Sequence, residues 1–97
     1  MLHFFRTQLT PTDVLRVADE FFPTLPLERT GYTARSRTFS GLLGTLELSV
    51  RKEGGYYTFV ESDTDQIGES RLDRNAKRFF VKLHRVSDPS HRLEAAY

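Results

Sequence analysis

At 97 residues and a formal net charge of +1, the chain has room for one domain around one core, and no global charge to steer it toward nucleic acid. It contains no cysteine; this excludes disulfides, thiolate nucleophiles and cysteine zinc sites, and it suits a reducing, cytoplasmic compartment. No apolar run approaches the ~20 residues that span a bilayer, and the opening MLHFFRTQLTP lacks the charged-then-apolar pattern of a signal peptide.

The apolar fraction is low at 38%, but there are 8 phenylalanines, and Phe4-Phe5, Phe21-Phe22 and Phe79-Phe80 stand as adjacent pairs. Aromatic bulk can therefore build a core that the aliphatic residues alone would leave thin.

Leu2 to Leu9 reads as a first strand. His3, Phe5, Thr7 and Leu9 share one face and Leu2, Phe4 and Arg6 the other, so phenylalanine on both sides points to cover from both sides or to a subunit contact. A helix follows. Thr10 is its N-cap, Pro11 takes the first helical position, and Asp13 stands where a capping box needs an acid. Val14, Leu15, Ala18, Phe21 and Phe22 fall on one helical face, and Pro23 ends the helix.

Thr24 to Gly31 reads as a linker into a weak second strand, Tyr32 to Phe39. Its exposed Arg35 and Arg37 mark it as an edge. Ser40-Gly41 turns the chain into a third strand, Leu43 to Lys52, with Leu46, Leu48 and Val50 alternating against polar neighbours. Glu53-Gly54-Gly55 forms a hairpin turn, since glycine accepts positive φ at little cost. The fourth strand, Tyr56 to Ser62, returns antiparallel, and Gln66-Ile67 is a candidate extension of the sheet.

Ser70 to Val86 carries the strongest helical signal. Ser70 caps it with Asp73 three residues on, and Leu72, Ala76, Phe79, Phe80, Leu83 and Val86 form one apolar stripe. Asp88-Pro89 breaks this helix, leaving residues 87–97 as a tail or short turn.

The expected fold is a single α+β domain over residues 1–97. It is a curved antiparallel sheet of four to five strands with two helices on one face, in the order β-α-β-β-β-α. That order is similar to one repeat of the TATA-binding-protein fold and to a shortened helix-grip (START-like) fold. The second likeness implies a pocket between sheet and helices, with Tyr32, Tyr56 and Tyr57 as its polar tips for a small apolar ligand.

A second candidate surface lies on the last helix. Arg71, Arg74, Arg78, Lys82 and Arg85 recur at spacings of three and four, a basic flank able to meet phosphates or an acidic partner. The neighbouring acids Glu61, Asp63, Asp65 and Glu69 are expected to neutralise much of it. Val81, alone among these cations, is a candidate dimer anchor.

Other chemistry has little support. The run Glu61, Asp63, Asp65 lacks the further ligands and glycine of a calcium loop. His3, His84 and His91 lie on separate elements without metal-motif spacing, and no serine has a nucleophile-elbow context. The expectation is a non-enzymatic binding or interaction module without metal or cofactor. It would self-associate through a sheet edge or the open sheet face; a small apolar ligand and nucleic-acid backbone are the alternative partners.

Overall fold

The computed structural model describes residues 1–87. The break at Asp88-Pro89, the tail and His91 lie outside them. Five strands form one antiparallel sheet: β1 (Leu2–Thr7), β2 (Leu27–Thr33), β3 (Ser36–Gly41), β4 (Gly44–Glu53) and β5 (Tyr57–Thr64). Their spatial order is β1-β5-β4-β3-β2, so β1 and β2 are the two edges. Helix α1 (Pro11–Phe21) connects β1 to a 3₁₀ turn at Phe22–Thr24, and α2 (Arg71–Ser87) follows β5. Both helices lie on one face of the sheet.

Each helix begins where its capping residues place it. The Asp13 amide donates to Thr10 Oγ1 at 3.1 Å, and the Asp73 amide donates to Ser70 Oγ at 3.0 Å. Val14, Leu15, Val17 and Ala18 of α1 are buried, as are Leu72, Ala76, Phe79, Phe80 and Leu83 of α2. The expected stripe therefore holds, except at its end, where Val86 is exposed.

Across from the helices, Leu46, Leu48 and Val50 of β4, Val60 of β5 and Phe39 of β3 close the core. Phe22 is at its centre, its ring 5.0 Å from Phe39 and 4.9 Å from Phe79, with Phe21 edge-on at 5.1 Å. Adjacent phenylalanines thus serve different neighbours: Phe5 stacks on Phe80 in the core at 5.2 Å, whereas Phe4 meets Phe59 on the opposite face at 5.4 Å.

The sheet departs from expectation at β2 and β3. The stretch Tyr32 to Phe39 is divided between two strands, and the segment read as a linker already contains the start of β2 at Leu27. The turn at Ala34-Arg35 has neither glycine nor proline. Thr33 closes it instead, its Oγ1 accepting from the Arg35 amide at 3.2 Å and lying 2.7 Å from Ser36 Oγ.

Arg37 is also not a solvated edge charge. It faces α1, and its Nε donates to both Asp19 carboxylate oxygens at 3.0 and 3.1 Å. At the other end of the sheet, β5 stops at Thr64, and Ile67 is 97% exposed rather than part of a strand.

Candidate functional site

Phe22, Phe39 and Phe79, all fully buried, occupy the space between sheet and helices. The three tyrosines do not converge there. Tyr32 lies at the β2 edge, with the guanidinium groups of Arg29 and Arg37 4.9 and 5.8 Å from its ring centroid. Tyr56 belongs to the β4–β5 turn and is 83% exposed. Tyr57 borders an open surface groove with Phe5, Arg6, Gln8, His84 and Ser87.

The basic flank of α2 is brought together as its spacing predicts. Arg71, Arg74, Arg78, Lys82 and Arg85 are all exposed. At 100° per residue they fit within an arc of about 80°, along about 21 Å of helix. Half-exposed Val81 sits at the margin of that arc. Phe21, Val81 and Val86 with Arg78, Lys82 and Arg85 line an open groove of about 400 Å³.

The acids expected to neutralise this flank are engaged elsewhere. Glu69 pairs with Lys77 at 3.0 Å, off the ridge. Asp65 accepts from the Thr45 amide at 2.9 Å and from Gln66 Nε2 at 2.8 Å, contacts that hold its carboxyl below the usual range. Asp63 lies 3.9 Å from the amino group of Met1, and Glu61 faces the other side of the sheet. Among the described residues no carboxylate forms an ion pair with any of the five ridge cations.

The sheet face turned away from the helices is the second surface. Phe59 lies flat on it, 8% exposed, beneath Phe4 and between the cross-strand neighbours Arg6 and Arg51. Their guanidinium carbons stand 5.0 and 4.5 Å from its ring centroid. Arg6 is fixed in turn by Glu53, its Nε donating at 2.6 Å, a bond that lowers the Glu53 carboxyl. Beside this covered ring, Leu2 and Phe4 remain 48% and 52% exposed on edge strand β1.

One constellation is not visible in the sequence. The Asp73 carboxylate is fully buried and accepts three hydrogen bonds: from Ser70 Oγ at 2.6 Å, Thr64 Oγ1 at 2.8 Å and His3 Nε2 at 2.9 Å. An ionised carboxylate only accepts, so the His3 proton sits on Nε2. Burial alone would push the Asp73 carboxyl up; the hydrogen bonds from Ser70, His3 and Thr64 outweigh it and bring the carboxyl down to about 2.

Ser62 pairs with His3 in the β1–β5 register, and its buried hydroxyl has no partner among the described residues. A serine, a histidine and an aspartate near one another have the composition of a nucleophile, base and orienting acid. Ser62 and Asp73 are both 0% exposed, however, so no substrate reaches the hydroxyl. The cluster is a structural tie between β1, β5 and the first turn of α2.

Among the described residues no three metal-ligating side chains converge, and no helix is long and apolar enough to cross a membrane. The sequence matches no protein-family model and no curated protein.

Proposed function

We propose that the chain is a non-enzymatic interaction module that self-associates through the free edge of β1 and the adjoining open sheet face. The observation that carries this reading is the exposure of Leu2 and Phe4 side by side on an edge strand. The two edges differ in the way that matters. Strand β2 is interrupted by a bulge between Arg29 and Gly31 and carries Glu28 and Arg29, features that discourage pairing. Strand β1 has no bulge, no proline and one charged side chain, Arg6, which Glu53 already holds.

Antiparallel pairing of two β1 strands would bring both copies of Leu2 and Phe4 into one continuous apolar strip. Covering the exposed half of each side chain contributes about 1 kcal/mol, or about 4 kcal/mol for the pair of copies, before main-chain hydrogen bonds and the cost of association. This fits a weak, concentration-dependent dimer. The element order, similar to one TATA-binding-protein repeat and to a shortened helix-grip fold, also suits a binding module. A cysteine-free chain suits a cytoplasmic setting.

Light scattering on a sizing column, from about 5 to about 500 µM protein, tests the proposal. The mass should rise toward a dimer, and Phe4→Glu should return it to the monomer while Ile67→Glu leaves it unchanged. A monomer mass across that range refutes self-association.

A further inference from the structure

We infer that the outer flank of α2 is a contact surface for the phosphate backbone of nucleic acid, held by charge and without reading of bases. Its starting point is the disposition of counter-ions. Five cations stand on one narrow arc of a rigid helix, and none has a carboxylate partner among the described residues. The adjoining helix does not supply one. On α1, Asp13 and Glu20 share Arg16 at 3.5 and 3.6 Å, while Asp19 is held by Arg37 and Arg29. Among the described residues the ridge therefore presents a local field without a paired counter-charge, on a chain whose net charge is only +1.

The form of the ridge selects the partner. Successive cations rise by about 4.5 to 6 Å along the helix, a linear array suited to a linear polyanion. Four of the five are arginines, whose planar forks match phosphate oxygens in pairs. A protein partner would need a central apolar or aromatic anchor; here Val81 and Val86, with the partly buried Phe21, line an open groove at one end of the ridge, beside Arg78, Lys82 and Arg85 and away from Arg71 and Arg74. Among the described residues, the one aromatic side chain beside these cations is Phe21, partly buried and packed on Phe22 and Phe79, and not a ring free to stack on bases, so recognition stops at the backbone.

The test is fluorescence anisotropy with a labelled mixed-sequence duplex DNA of about 20 base pairs, titrated with the full chain between about 50 and 200 mM salt. Five phosphate contacts predict a slope of about −4.5 in log K against log salt, or roughly a 500-fold loss of affinity across that range. Arg74→Gln/Arg78→Gln should flatten the slope by about two units, with the circular dichroism spectrum unchanged because both side chains are exposed. A second duplex of unrelated sequence should bind equally. No binding at the lowest salt, a slope near zero, or an undiminished slope in the double variant overturns the inference. So does equal affinity for a polyglutamate peptide, which would make the partner an acidic protein.

Discussion

Replacing Asp73 by asparagine removes the charge at the centre of the buried tie while nearly preserving its shape. In the native protein the carboxylate receives three donors, from Ser70, Thr64 and His3. The amide offers one acceptor oxygen and turns an NH2 group toward hydroxyls arranged to donate. The size of the loss follows from linkage. A carboxyl brought from its ordinary 3.8 to about 2 on folding contributes roughly 2.4 kcal/mol at neutral pH. For a domain of this size that is a large share of the total, and it corresponds to a fall in Tm of roughly 10–15 °C.

The sign is set by the direction of the shift. The folded pKa lies below the unfolded one, so the contribution is complete above about pH 5 and is lost as pH falls toward about 1. About 1 kcal/mol of it is gone at pH 3 and about 2 kcal/mol by pH 2. Urea unfolding of the wild type and Asp73→Asn, followed by circular dichroism at pH 7 and pH 3, reads this directly. The gap between them should be about 2–3 kcal/mol at pH 7 and about 1 kcal/mol smaller at pH 3. A gap that stays constant with pH would show that the carboxylate charge is not what holds β1 and β5 to α2.

Three further substitutions probe other parts of the packing by the same unfolding assay. Phe22→Ala empties the centre of the aromatic cluster and should cost about 3–5 kcal/mol; a loss below 1 kcal/mol would mean the surrounding rings collapse into the space. Gly41→Ala drives a Cβ into the backbone oxygen of Pro26, so β2 and β3 must separate at that point, at a cost of about 1–3 kcal/mol. Ser62→Ala removes a buried hydroxyl that has no partner among the described residues and should leave stability unchanged or raise it by about 1 kcal/mol. A clear loss there would reveal a hydrogen bond to Ser62.

What could be read from the sequence was whatever depends on near neighbours along the chain. Both N-caps are three-residue patterns, both helical stripes recur at three and four, and the β4–β5 turn is announced by Gly54, which takes a φ of 67°. The division between β2 and β3 was illegible for a physical reason. An edge hairpin contributes few core residues, here Leu27 and Phe39, so it needs no apolar alternation. Its turn is stabilised by the hydroxyl of Thr33, a residue equally at home inside a strand. The buried tie was hidden by distance: His3 and Asp73 are 70 positions apart. Only the β1–β5 pairing and the placement of the first turn of α2 bring them together.

The same distinction governs the basic ridge. In the sequence, Glu61, Asp63, Asp65 and Glu69 immediately precede the cations, and proximity along the chain suggests neutralisation. In the fold each acid is directed elsewhere by local geometry. Alternation along β5 turns Glu61 and Asp63 to the face opposite the helices. The start of β4 engages Asp65 through the Thr45 amide, and the start of α2 buries Asp73. Glu69 reaches Lys77, which lies about 60° around the helix from the nearest cation of the ridge. For Glu61 and Asp63 the sheet itself stands between carboxylate and guanidinium groups, and it separates them more effectively than the few intervening residues suggest. Among the described residues, the order of charges along the sequence therefore does not predict which of them meet in the fold: the acids nearest in sequence to the ridge pair elsewhere.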